Sequence, residues 1–165
     1  MDTRARGIRL LVLDVDGVLT DGRVYLGTDG CEMRAFSYLD IMGISRLRRS
    51  GVQVALVSGE TNSIIDRFAA KMTIEKTFQG CKEKGRAIDD LARHYALEPS
   101  MICYIGDDVN DIPAFVKAGL AVGVPNGDEA IRPYVHAVTE RPGGGGAVRE
   151  VCELIMAARD GGPRA

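Results

Sequence analysis

The chain has 165 residues, 45% hydrophobic and 27% charged, which fits one globular domain with a single core and leaves no room for two independent ones. A formal net charge of −2 gives no basic footprint for nucleic acid, and no apolar run reaches the roughly 18 residues of a membrane span. Four cysteines without CxxC or Cys/His spacing argue against a disulfide framework and a zinc site, so the expectation is a cytoplasmic protein with a small-molecule partner.

The first apolar run, Ile8 to Leu13, passes directly into Asp14 and Asp16, followed by Gly17. Two carboxylates at the mouth of a buried strand repel each other and are costly to desolvate, so this turn calls for a cation or a reaction. Residues 22–36 then break the pattern. A Thr28-Asp29-Gly30 turn between strand-forming residues predicts a β-hairpin whose Val24, Tyr25, Leu26, Met33 and Phe36 have no core of their own. A helix is predicted over 41–50 with Gly51 at its C-terminal cap, and a strand over Val52 to Val57 ends in Ser58, Gly59 and Glu60.

A helix over 61–71 leads to a strand at Ile74 to Phe78 and a helix over 83–96 that carries Lys84. The run Met101 to Ile105 ends in Gly106, Asp107, Asp108 and, a turn later, Asp111. A helix over 110–118, a strand at Leu120 to Val124, a glycine-rich loop at 141–148 that is flexible by composition, and a helix over 146–159 complete the chain. Near-continuous hydrophobicity marks strands covered on both faces, so the class is α/β: one domain over residues 1–165 with a parallel sheet, helices on both faces and a hairpin insertion.

Ligands of open α/β sheets collect outside the carboxyl ends of the strands. Reading only those ends brings five aspartates, a serine and several glycines to one rim. Such a rim suits a hard cation with oxygen ligands, Mg²⁺, which commonly bridges to a substrate phosphate. A lone Asp is usually a cap or a loop residue, and Lys84 by itself is a solvated helix start; the joint pattern carries the inference.

Asp14-Val15-Asp16-Gly17-Val18, Ser58, Lys84 and Gly106-Asp107-Asp108-Val109-Asn110-Asp111 resemble the four motifs of the haloacid dehalogenase superfamily of phosphohydrolases, with similarity over nearly the whole chain. "DVDGVLTDGRVY", "FQG", "YIGDDVND" and "GGGGAVREV" are similar to segments of its capless subgroup, typified by the 3-deoxy-D-manno-octulosonate 8-phosphate phosphatases. The resemblance implies a Rossmann-like fold without a cap domain and a Mg²⁺-dependent phosphatase. Asp14 would be the nucleophile that forms an aspartyl-phosphate, and Asp16 the general acid and then base. Asp14, the Asp16 carbonyl and Asp107 would hold the metal, with Asp108 acting through a water on it. Ser58 and Lys84 would neutralise the phosphoryl oxygens, and Asp111 would orient Lys84. The substrate would be a phosphorylated 2-keto-3-deoxy sugar acid of lipopolysaccharide precursor synthesis. A homotetramer is implied, with hairpins packed together and neighbours helping to close each site, among them the 143–149 loop.

This chain departs from the octulosonate pattern at Glu60 and Phe68, where arginines are usual, and at Leu39-Asp40-Ile41, where Arg-Asp-Gly is usual. A branch acting on nine-carbon nononate or sialic acid 9-phosphates resembles this chain in having Glu and Lys at the positions of Glu60 and Lys71. Helical spacing would put that pair within about 20° of one face. Gly59, Glu60, Lys71 and Asp40 are therefore the expected substrate-binding residues. The nine-carbon substrate and a non-catalytic assembly module stand as alternatives. A receiver domain, the other acidic Mg²⁺ pocket of this class, fits less well, because its phosphoacceptor strand would end here in Gln79-Gly80.

Overall fold

The computed structural model describes residues 2–160. In chain order its elements are α1 (Asp2–Arg6), β1 (Leu10–Leu13), β2 (Tyr25–Leu26), β3 (Glu32–Met33), α2 (Tyr38–Arg49), β4 (Gln53–Val57) and α3 (Ser63–Met72). There follow β5 (Lys76–Phe78), α4 (Lys84–Tyr95), β6 (Ile102–Gly106), α5 (Ile112–Phe115), β7 (Leu120–Gly123), β8 (Ala137–Val138) and α6 (Ala147–Arg159).

All four residues of β1 are buried, because the strand is covered on both faces and paired on both edges. Leu11 and Leu13 point into one core layer with Ile44 and Leu47 of α2, Ile65 and Phe68 of α3, and Val151 and Ile155 of α6. Leu10 and Val12 point into the opposite layer with Ile88 and Leu91 of α4 and Phe115 of α5. Burying each such side chain contributes about 1.5–3 kcal/mol. The sheet order is β5-β4-β1-β6-β7-β8 with every pair parallel. Leu13 is level with Leu56 of β4 and Ile105 of β6, so the residues after these three strands emerge side by side on one rim. From β1 the strand order runs one way through β4 and β5 and the other way through β6, β7 and β8, so the β1/β6 boundary is the switch point where such folds bind ligands.

Five of the six sheet strands lie within or next to the expected runs. The sixth, β8, has two residues, too few to show a hydrophobic period. Gly51 follows α2 with φ of 86°, and its N–H donates to the Arg48 carbonyl at 3.0 Å. The helix expected over 110–118 is shorter, a 3-10 turn at Val109–Asp111 followed by the four residues of α5.

The hairpin β2–β3 pairs Tyr25 with Met33 and Leu26 with Glu32, and all four residues are exposed. Beyond it the chain rejoins the body where Phe36 stacks on Phe68, ring centroids 4.5 Å apart. The glycine-rich loop corrects an expectation, since it packs against the turn that follows β1 instead of standing free. Gly144 N–H donates to the Val18 carbonyl at 3.0 Å, and Gly143 N–H to Asn126 Oδ1 at 2.7 Å. A Cβ on Gly143 would fall 1.8 Å from the Gly17 carbonyl oxygen, so glycine here serves close approach, not mobility. Ala147 and Val148, which the loop leads into, are buried in this chain's own core and are not available to a neighbour.

Candidate active site

Asp14 extends the sheet by one residue, its N–H donating to the Ile105 carbonyl at 3.0 Å. The chain then folds back on itself, with the amides of Leu19 and Thr20 donating to the Val15 carbonyl at 2.9 and 3.1 Å. Gly17 sits inside this turn with φ of 87°, and a Cβ there would lie 1.9 Å from Asp107 Oδ2. The residue therefore has to be glycine on two counts, backbone conformation and contact with Asp107. Asn126 closes the turn from the end of β7, donating from Nδ2 to the Gly17 carbonyl at 2.9 Å.

Lys84, only 1% exposed, enters from the first residue of α4 and lies 3.0 Å from Asp14 Oδ1 and 2.6 Å from Asp111 Oδ1. Tyr104 in β6 donates its hydroxyl to the same Asp111 oxygen at 2.5 Å. The other oxygen, Oδ2, accepts the amides of Asp107 and Asp108 at 2.8 and 3.1 Å. Asp111 is thus committed on both oxygens and holds Lys84 in place.

Burial pushes the Asp14 carboxyl well above its usual range, and the charge of Asp111 adds to this while Lys84 works against it. Burial, reinforced by Asp111, likewise pushes Asp107 up to about 6. Desolvation pulls Lys84 down, but Asp14 and Asp111 more than offset it and hold the ammonium above its normal value. One oxygen each of Asp14, Asp107 and Asp111 lies within 4.8 Å of the others. Because Asp111 is already saturated with donors, Asp14 and Asp107 are the pair left to face a cation. A divalent ion would relieve the repulsion that raises both, and their all-oxygen chemistry fits Mg²⁺.

Ser58 is buried at the end of β4, its Oγ accepting the Glu60 amide at 3.1 Å. Gly59 follows, with its carbonyl accepting from Lys82 Nζ at 3.1 Å. The Asp16 side chain meets the hairpin, with Oδ1 2.8 Å from Arg34 Nε. The rim thus gathers Asp14, Asp16, Ser58, Gly59, Lys84, Asp107 and Asp111.

Two expectations need correction. Asp40, expected at the substrate, is 1% exposed, and its two oxygens accept the amides of Gly146 and Arg149 at 3.2 and 2.8 Å. It caps the start of α6, a helix whose first residues have no side-chain cap of their own. Asp108, expected to act through a water on the metal, is exposed beside Asp107, where its Oδ1 accepts the Val109 amide at 2.6 Å and it forms a capping box with Asp111. Glu60 and Lys71 do not share a helical face. Asn62 is the N-cap of α3, so Glu60 lies in the preceding loop, where the helical angle does not apply. Lys71 lies over the Tyr38 ring at 5.2 Å and lines a groove of about 490 Å³ with Arg34, Arg67, Phe36 and Phe68.

Arg34, Tyr104 and Asn126 were not among the expected site residues. Asn126 lies just beyond the carboxyl end of the strand at Leu120, so its position carries the same signal as the other rim residues. Tyr104 sits in an apolar run that looks like core, and Arg34 on a hairpin has no local signal at all.

A profile of the haloacid dehalogenase-like hydrolases matches residues 78–150. The 3-deoxy-D-manno-octulosonate 8-phosphate phosphatase KdsC of Salmonella typhi is 40% identical over 157 residues, which is 95% of this chain and 84% of that protein. The KdsC of Escherichia coli K12 is 40% identical over 94% of this chain and 83% of its own length. Among solved structures, the Moraxella catarrhalis phosphatase of the same name, in complex with magnesium, phosphate and KDO, superposes with a TM-score of 0.94 at 38% identity, covering 96% of this chain and 91% of that one. The cobalt-bound Haemophilus influenzae phosphatase gives 0.91 at 34% identity, over 95% of this chain and 92% of that one.

Proposed function

Because the chain belongs to the 3-deoxy-D-manno-octulosonate 8-phosphate phosphatase family of haloacid dehalogenase-like hydrolases, we propose that it hydrolyses the phosphate ester of a 2-keto-3-deoxy sugar acid, the eight-carbon 8-phosphate first. The observation that carries the reading is the placing of Asp14 between Lys84 and Asp107 at the end of the central strand, with Asp16 two residues further on. Asp14 attacks phosphorus while the bond from phosphorus to the sugar oxygen breaks. The departing oxygen keeps the electron pair and takes a proton from Asp16. Asp16 then accepts a proton from water, whose oxygen attacks phosphorus and releases phosphate and free Asp14.

Lys84 and Ser58 balance charge on the phosphoryl oxygens, and Asp111 keeps Lys84 directed at Asp14. Asp14, Asp107 and the main-chain carbonyl of Asp16 would hold Mg²⁺, which supplies further neutralisation of phosphoryl charge. Gly59 and Glu60 border the sugar at the rim, and Lys71, with Arg67, offers positive charge to an acid group in the adjoining groove.

The assembly proposed is a homotetramer formed through the hairpins, supported by the exposed Val24, Tyr25, Leu26 and Met33 and, on α2, Tyr38, Leu39 and Met42. The compartment proposed is the cytoplasm, in keeping with four free cysteines, two of them buried. Phosphate release from a panel of sugar-acid phosphates tests the reading. The eight-carbon 8-phosphate should exceed nine-carbon 9-phosphates in kcat/KM by at least about tenfold, roughly 1.4 kcal/mol, and Asp14→Asn should bring turnover to background with the fold retained. Near-parental turnover in that variant would dismiss Asp14 as nucleophile, and preference for a nine-carbon compound would replace the substrate while leaving the chemistry.

A further inference from the structure

We infer that Arg34, delivered by the hairpin, is a positioning residue for Asp16: it fixes one carboxylate oxygen so that the other is presented to the sugar oxygen. The inference rests on the role proposed for Asp16 and extends it to a segment outside the four motifs.

Arginine is seldom buried, yet the Arg34 side chain is only 5% exposed. Its Nε is fully buried and makes no aligned hydrogen bond, but it faces Asp16 Oδ1 at 2.8 Å. A buried guanidinium is tolerated only when its charge is met, and here two carboxylates meet it. The second is Glu32 on β3, with Oε2 3.5 Å from Arg34 Nη1. That same Glu32 oxygen accepts from Asn62 Nδ2 at 2.7 Å. Asn62 is itself fixed, because its Oδ1 caps α3 at the Ile64 amide, 2.9 Å away, and its own amide donates to Gln79 Oε1 at 2.8 Å.

A continuous polar path therefore runs from the start of α3 through Asn62, Glu32 and Arg34 to Asp16. Its consequence is geometric. The Asp16 side chain is 30% exposed, and a carboxylate on that open turn would otherwise sample several rotamers. With Oδ1 held from the hairpin side, Oδ2 is the oxygen left for proton transfer. General acid catalysis depends on such placement, since the donor has to lie within hydrogen-bond reach of the leaving oxygen.

The discriminating measurement is the first turnover, before water attacks the aspartyl-phosphate, with two substrates that differ in their need for an acid. A sugar alkoxide leaves poorly without a proton, whereas p-nitrophenolate leaves without one. Arg34→Met keeps the apolar stem and removes the guanidinium. It should slow first-turnover release of the sugar from octulosonate 8-phosphate by about tenfold or more, with p-nitrophenol release changed less than about threefold and KM within about twofold. Arg34→Lys, which restores a charge on that side of Asp16, should recover part of the loss.

Equal slowing of both leaving groups together with a lowered Tm would make Arg34 a structural residue and overturn the inference. A raised KM for the sugar phosphate with an unchanged first-turnover rate would make it a substrate contact and overturn it as well. Asp16→Asn in the same assay separates the two levels. If it shows the selective loss and Arg34→Met does not, the inference alone fails. If Asp16→Asn releases sugar at the parental rate, the role given to Asp16 falls, and the inference with it.

Discussion

Lys84 and Arg34 each bring a buried cation to an aspartate of the β1 turn, but they are held by opposite kinds of scaffold. Lys84 stands at the start of a twelve-residue helix packed on the sheet, and its partner Asp111 is saturated by Tyr104 and two backbone amides. Arg34 follows a hairpin of two-residue strands with every strand residue exposed. A two-stranded hairpin is marginal by itself, so its geometry comes from Glu32, Asn62 and the Phe36–Phe68 stack. The difference teaches that Asp14 and Lys84, proposed to act at phosphorus, are fixed by the core, whereas Asp16, proposed to protonate the leaving sugar, depends on a peripheral element. On that reading, chemistry at phosphorus and protonation of the leaving group should be separable by mutation.

The largest break in this comparison should come from Lys84→Met. Removing one partner of a buried ionic cluster leaves Asp14 and Asp111 uncompensated, with an expected cost of about 3–5 kcal/mol in stability. Turnover should fall to background, and denaturant unfolding alongside phosphate release measures both. Next comes metal removal. A chelator should abolish turnover of sugar phosphate and p-nitrophenyl phosphate alike, and Mg²⁺ should restore both, because the proposed metal ligand and nucleophile, Asp14, would serve both substrates. Persistence of either activity in metal-stripped protein would break the assignment.

Tyr104→Phe sharpens the core side of the comparison. It takes one donor from Asp111 without touching Lys84, so a stability loss of about 1–3 kcal/mol and an equal fall in rate on both substrates are expected, read by Tm and kcat. The smallest effect on the fold should come from Leu26→Ser on the hairpin, where Leu26 is 75% exposed. Within one subunit the change should stay within about 0.5 kcal/mol. Sedimentation should nonetheless show a weakened tetramer, and a parent chain that sediments as a monomer at micromolar concentration would remove the hairpin from assembly.

How much of this was legible in the sequence follows the same division. Asp14, Ser58 and Asp107 could be placed because each sits at a strand end that hydrophobic runs locate, whereas Lys84, a solvated helix start by itself, stood out only through the joint pattern. Arg34 could not, because its meeting with Asp16 depends on how a hairpin folds back, which no local pattern records. Asp40 was misread for a related reason. A carboxylate beside a motif looks like a ligand, but this one satisfies backbone amides of Gly146 and Arg149, 106 and 109 residues away in sequence. The glycine-rich loop was misjudged because composition reports freedom in the unfolded chain, whereas contact with the turn after β1 decides its folded state.

The hydrogen bonds that join Asn126 and Gly143–Gly144 to Gly17 and Val18 also order events in time. The segment carrying the proposed nucleophile leaves the ribosome more than a hundred residues ahead of these braces. Through that interval Asp14 would sit on an unsupported turn, and β1 would lack its neighbour β6 for most of it. Such long sequence separation slows closure and leaves a central apolar strand exposed to wrong partners in the meantime. Newly made chains should accordingly gain protease resistance and phosphatase activity together, and only after the segment around Gly143 has cleared the exit tunnel.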